Sequence, residues 1–193
     1  MKPPTFAPSK LARAVGAASL VTSVVLVTLV SASCTVEAKG TFQRKAAQSG
    51  KRASSVDFQN NVSVVFEKRC GTLDCHGTNA RNLRIYSTGG LRLPNEAGVS
   101  PGGGATTLEE INANYESILN VEPEQTNEVI VNNADPYSLL ILKKPLQMEH
   151  HKGGPAITRG DDAETCIVSW LKEDITSPFN KTACANAANF PKQ

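Results

Sequence analysis

The chain has 193 residues, with 20 Lys and Arg against 18 Asp and Glu, five cysteines, and only 5% aromatic residues. That length fits one domain plus extra segments. The near-neutral balance gives no ground for nucleic-acid binding.

Lys2, Lys10 and Arg13 precede an uncharged run from Ala14 to Val36 that contains "LVTSVVLVTLVSASC". A basic front, an apolar middle and small residues at the end describe a secretory signal, here residues 1–33. Small residues directly before Cys34 resemble the lipobox of bacterial lipoproteins, although Ser31 stands where Leu is commonest. Cys34 is therefore the expected lipidation site. Ordinary cleavage nearby and an uncleaved anchor are the alternatives, since about 20 apolar residues span a bilayer. Without Lys2, Lys10 and Arg13, 17 basic residues face 18 acidic ones. Residues 34–54 are polar and basic and lack apolar periodicity, so they read as a flexible linker.

Residues 55–193 form the expected folded domain, with four helices predicted. "SVDFQNNVSVVFEKR" puts Phe58, Val62, Val65 and Phe66 on one face, with Ser54 and Asp57 spaced as a capping pair. "TLEEINANYESIL" has a Thr107/Glu110 capping box and a stripe of Leu108, Ile111, Tyr115 and Ile118. A short third helix starts with Asp135 and Pro136, carries Leu139, Leu140 and Leu142, and stops at Pro145. The last, "DDAETCIVSWLKEDI", has Asp161 and Glu164 as its cap and Ala163, Ile167, Trp170 and Leu171 as its apolar face. The first and last helices share the same apolar offsets and are expected to pack face to face. Residues 87–107 are too rich in Gly and Pro for a regular element and read as a long loop. No internal repeat is present.

The cysteines divide by context. An exported chain tolerates disulfides, so Cys166 and Cys184 are expected to pair, against the alternative of a small buried hydrophobe and a free thiol. Cys70 and Cys75 belong to "CGTLDCHG". Covalent haem attachment needs two thiols for one porphyrin and an imidazole directly after the second thiol. Cys75 and His76 supply that adjacency. Four residues separate the cysteines where two are usual, so a wider loop is required, and Gly71 is expected to relax the backbone where it leaves the helix. The candidates for a second axial ligand are His150, His151 and Met148, all in "LQMEHHKGGP"; the alternative is a polar surface loop with solvated histidines. Imidazole there gives a lower potential and thioether a higher one. A bound haem would also add apolar volume to a core poor in aromatic residues. Arg81, Arg84 and Arg92 are candidates to pair with propionates, though solvated arginines are commoner. Trp170, Tyr86 and Tyr115 are candidates to pack near the porphyrin or simply to fill the core.

The run "VVFEKRCGTLDCHGTNARNLRIYSTGGLRL", followed by "ANYESILNVEP", "SLLILKKPL", "HKGG" and "VSWL", resembles a family of cytochrome c-like domain proteins of bacterial cell envelopes, many of them predicted lipoproteins. The resemblance covers most of residues 64–171. It implies an all-α, cytochrome c-like helical domain with long loops around one covalent haem c, held by Cys70 and Cys75 with His76 as proximal iron ligand. His151, the histidine before x-Gly-Gly, becomes the first choice as distal ligand, Met148 the second and His150 the third.

These readings converge on a mono-haem c-type cytochrome that carries electrons between redox protein partners in the cell envelope. It would be exported and held at the membrane, on the periplasmic side or at the outer membrane, by an N-terminal lipid anchor. Nothing marks a general acid or base, a Ser-His-Asp arrangement or a nucleotide loop, so an electron carrier is expected rather than a catalyst. Two alternatives stand beside this one. One is a zinc-binding domain using Cys70, Cys75 and the later histidines. The other is a non-redox envelope lipoprotein with Cys70–Cys75 and Cys166–Cys184 as structural disulfides.

Overall fold

A computed structural model of the chain describes residues 52–93, 103–173 and 177–189. The predicted signal, Cys34, most of the predicted linker and residues 94–102 of the long loop lie outside the described residues. Those residues are helical, with one isolated bridge between Tyr86 and Leu91 and no strand. Among them no helix is long and apolar enough to cross a membrane.

The first predicted helix forms as one continuous rod with a change of winding inside it. α1 (Ser55–Asp57) passes through a π-helical turn, Phe58–Val62, into α2 (Ser63–Cys70). Ser54 Oγ accepts the Asp57 amide, as the capping pair requires. Phe58, Val62, Val65 and Phe66 are all buried. The wider π turn, closed by Ser63 N–H on the Phe58 carbonyl, keeps Phe58 and Val62 on the face that Val65 and Phe66 continue.

α3 (Leu108–Leu119) has the predicted capping box, with Thr107 and Glu110 each bonded to the other's backbone. Its buried face is turned from the predicted stripe. Leu108 is 56% exposed, whereas Glu110 and Asn114 are fully buried alongside Tyr115 and Ile118. The reason is that Glu110 has partners enough to leave water. Arg92 Nε and Nη2 donate to its two oxygens at 2.8 Å, and the Thr107 and Leu93 amides donate at 2.9 and 3.0 Å. Arg92 also donates to the Gly103 and Ala105 carbonyls, so both described flanks of the Gly-rich loop are held on α3. Burial alone would raise the Glu110 carboxyl, but its bonds to Arg92, Thr107 and Leu93 outweigh it and hold the group below its usual value.

Two helices go beyond the predicted four. α4 (Pro123–Asn132) has Pro123 in its first turn and ends at Asn133 in the left-handed region, φ 59°. Its buried residues are Thr126, Val129 and Ile130, a pattern with one polar member. A 3₁₀ turn (Pro136–Ser138) capped by Asp135 leads to α5 (Leu140–Lys143), the predicted short third helix, with Leu139, Ile141 and Leu142 buried. α6 (Asp162–Lys172) is capped by Asp161 and buries Ala163, Ile167, Trp170 and Leu171 as predicted. α7 (Lys181–Ala188) follows it, with Asn180 accepting the Ala183 amide. The Cys166–Cys184 disulfide pins α7 to α6. Lys68 reaches the Ala188 carbonyl, and Lys181 pairs with Asp57.

The two expected helices do meet. Phe58 lies 5.3 Å from Trp170 and 5.4 Å from Tyr115, ring centre to ring centre. Backbone and side-chain bonds close the same seam: Ala53 N–H to the Trp170 carbonyl, Trp170 Nε1–H to the Ser54 carbonyl, and Tyr115 O–H to the Ala53 carbonyl. Ala53 is fully buried, so the packed domain takes in residues that the sequence assigns to the linker.

Two outcomes test this account. Cys184→Ala removes a cross-link over a separation of 18 residues and should lower the unfolding free energy by about 3 kcal/mol in urea titration. Arg92→Met strands the Glu110 carboxylate and should lower stability by about 3–5 kcal/mol. Because the folded protein holds Glu110 below its ordinary value of 4.5, its contribution is present above that value. It is lost as pH falls through the lowered one. Urea midpoints measured against pH should show the wild type losing stability as pH falls below 4.5, and Arg92→Met losing less over the same range because its Glu110 is no longer held down.

Candidate functional site

α2 ends at Cys70, and the chain turns straight back on the helix end. Cys75 N–H and Gly77 N–H both donate to the Thr72 carbonyl, at 3.0 and 2.9 Å. His76 N–H donates to the Cys70 carbonyl at 2.8 Å. The four-residue spacer thus folds into a closed turn, and His76 comes back to the last carbonyl of the helix. Cys70 and Cys75 are free thiols, each partly buried. Burial pushes the Cys70 thiol up to about 12, with Cys75 adding to the rise and Arg69 opposing it.

Glycine has a different role here from the one expected. Gly71 has an ordinary φ of −86°, so backbone freedom is not what the position needs. A Cβ there would lie 2.7 Å from the Glu67 carbonyl oxygen and 2.9 Å from Ser87 Cβ. Gly77 and Gly90 crowd the Gly71 carbonyl, which a Cβ on either would meet at 2.2 and 2.1 Å. The Ser87 hydroxyl donates to that same carbonyl. Three glycines let three stretches of backbone touch at one point.

His76 is partly buried, and its ring is oriented by backbone. Nδ1 lies 3.0 Å from the Leu83 carbonyl oxygen, and Ile85 N–H donates to the His76 carbonyl at 2.9 Å. A carbonyl only accepts, so Nδ1 carries the proton and Nε2 of the neutral ring keeps its lone pair. Burial lowers the His76 pKa most, against the raising effect of the Leu83 bond, with His151 and Arg81 lowering it further. Neutral imidazole is the ligating form.

His151 is arranged in the same way. Its Nδ1 lies 2.8 Å from the Gly154 carbonyl oxygen, which fixes the rotation of the ring. Gly154, at φ 75°, turns the chain so that this carbonyl reaches the ring. Gly153 lies against the imidazole, where an added Cβ would meet ring atoms at 3.5 to 3.9 Å. The two rings are parallel to within 9°, with centres 6.2 Å apart.

The other candidates in that loop face elsewhere. Met148 is 48% exposed and its sulfur accepts from the Arg159 guanidinium at 3.7 Å. His150 is exposed, and its carbonyl accepts from Lys144. Among the arginines, Arg92 is committed to Glu110, Arg81 donates to the Cys75 carbonyl at 3.3 Å, and Arg84 is exposed. Trp170 and Tyr115 belong to the core. Tyr86 is held through its backbone by Asn114. The residues that sequence reasoning did not single out are Leu83 and Gly154, which act through carbonyls and leave no side-chain signal, and Asn114, a polar residue inside a predicted helix.

Among the described residues no three His, Cys, Asp or Glu side chains form a group able to hold a metal ion. Comparison with protein-family models, curated proteins and solved structures found no match to the chain.

The crowding at Gly71 makes a sharp contrast between neighbours. Gly90→Ala should destabilise the protein by at least about 2 kcal/mol, because a rigid carbonyl occupies the space. Gly89→Ala, where nothing lies within 4 Å, should stay within about 0.5 kcal/mol of the wild type. Urea unfolding of the two variants side by side measures the difference.

Proposed function

We propose that the chain is a mono-haem c-type cytochrome of the cell envelope, an electron carrier with haem c attached through Cys70 and Cys75. His76 and His151 are its axial ligands. The observation that carries this reading is the pair of parallel imidazoles 6.2 Å apart, each with Nδ1 on a backbone carbonyl. Two loops far apart in the chain thus bring two imidazoles together. Two imidazoles oriented by backbone carbonyls and two nearby free thiols are the donor set that such a group requires. When bound, the haem iron supplies a one-electron couple, set lower by two imidazoles than by an imidazole and a thioether.

The protein's own part is to hold and orient. Leu83 and Gly154 fix the two rings, and the Leu83 bond raises the basicity of His76. The turn from Thr72 to Gly77 keeps Cys75 and His76 beside Cys70. The Cys166–Cys184 disulfide agrees with an oxidising compartment, and therefore with export; the lipid anchor at Cys34 rests on the "SASC" pattern alone. Redox proteins of the envelope are the partners. A tetrahedral zinc site gains no support, since no third ligand joins any pair of candidates among the described residues. A structural Cys70–Cys75 disulfide gains none either, because both are free thiols.

The full chain, produced with a haem-attachment system, should be red, and its colour should survive acid-acetone extraction. Its reduced-minus-oxidised spectrum should be that of six-coordinate low-spin iron. His76→Ala should abolish the low-spin spectrum. His151→Ala should give five-coordinate or Met-ligated iron, and Met148→Ala should leave the wild-type spectrum. Colourless protein with both sulfurs unmodified refutes the proposal, and loss of the spectrum in Met148→Ala instead of His151→Ala refutes the distal assignment.

A further inference from the structure

Asn114 is fully buried in the middle of α3. An amide in such a place costs stability unless both its ends are bonded. Both are bonded, and to a single residue of another segment. Oδ1 accepts the Tyr86 amide at 2.6 Å, and Nδ2 donates to the Tyr86 carbonyl at 2.8 Å. The side chain thus imitates a neighbouring strand, grasping one residue by its N–H and C=O together. Only a side chain with a donor and an acceptor on one short stem does this. Three residues further along α3, Ser117 Oγ accepts the Arg84 amide at 3.3 Å.

The segment held in this way runs directly under His76. Arg84 and Tyr86 bond to α3. The residues alternating with them bond to the histidine: Ile85 N–H donates to its carbonyl, and the Leu83 carbonyl accepts from its Nδ1. Ser87 continues on to the Gly71 carbonyl. The Leu83 carbonyl thus belongs to a strip of chain anchored on the helix behind it.

We propose that Asn114 is a positioning residue for the His76 ligand, acting through Tyr86 and the Leu83 carbonyl to fix the rotation and basicity of the imidazole. This rests on the reading of His76 as an axial ligand. Loss of the clasp lets the Leu83 carbonyl drift from Nδ1. The ring then donates less electron density through Nε2, which weakens stabilisation of the oxidised iron and raises the midpoint potential. The imidazole also turns about its bond to the metal, which moves the low-spin electron paramagnetic resonance g-values.

The test compares full-length, haem-loaded wild type with Asn114→Leu, Asn114→Gln and Ile118→Val. Ile118 is a buried neighbour on the same helix, and its trimming is a control for core damage alone. Asn114→Leu should keep low-spin iron while shifting its g-values and raising its midpoint. Asn114→Gln, which keeps donor and acceptor, should recover part of both shifts, and it carries the test by itself if the leucine variant does not fold. Ile118→Val should lose stability with g-values and midpoint unmoved. Asn114 variants that lose stability but keep the wild-type g-values and midpoint overturn the inference while leaving the cytochrome reading intact. A wild type without covalent haem, or without His76 on the iron, overturns both.

Discussion

The chain must leave the end of α2 and return to it within six residues, and the hydrogen bond from His76 N–H to the Cys70 carbonyl is how it does so. A helix end leaves carbonyls without intrahelical partners. Here the Cys70 carbonyl is satisfied by the residue whose ring the site needs. The turn is tight because three backbone stretches meet around the Gly71 carbonyl, and that meeting tolerates no Cβ at Gly77 or Gly90. The wide cysteine spacing and the glycines that flank it are therefore one device. Extra chain lengthens the loop, and the absence of side chains lets it collapse back.

Polar groups do much of the positioning in the interior. Glu110 and Asn114 lie one turn apart on α3, both fully buried and both fully bonded. Glu110 caps its own helix and, through Arg92, ties down the flanks of the Gly-rich loop. Asn114 holds the segment that follows the histidine. Apolar residues at these places would give burial without direction. Hydrogen bonds are directional, and an unsatisfied one in the interior is costly, so these two side chains select one arrangement of long irregular segments that have little helix of their own. A chain with so much loop around its site needs that selection more than a compact bundle does.

The aromatic core is closed by different means. Phe58, Phe66, Tyr115 and Trp170 form one aromatic cluster, which concentrates the few large rings between α3, α6 and the first helical rod. Bonds between Ala53, Ser54 and Trp170 fasten the start of the domain to α6, and the disulfide fastens α7 to the same helix. The loops that carry His76 and His151 extend from this framework, and the two imidazoles lie parallel.

The amino-acid sequence alone determined the features that local chemistry writes into short patterns. The Ser54, Thr107, Asp135 and Asp161 caps, the buried faces of the first rod and of α6, and the Cys166–Cys184 pair all follow from spacing, charge and count. α4 was hidden by a buried face of only three residues, one of them polar, and α7 by a face of two alanines and a cysteine; hydrophobic periodicity is weak in such short, mild stretches. Only the tertiary structure decided which residue of "MEHH" faces His76, because the choice depends on how Gly154 turns the loop. It alone decided that α3 buries Glu110 and Asn114 instead of Leu108, because a polar residue enters a core only when distant segments bring its partners. Backbone carbonyls such as those of Leu83 and Gly154 belong to every residue type alike, so their part in orienting the two rings is written in no side chain.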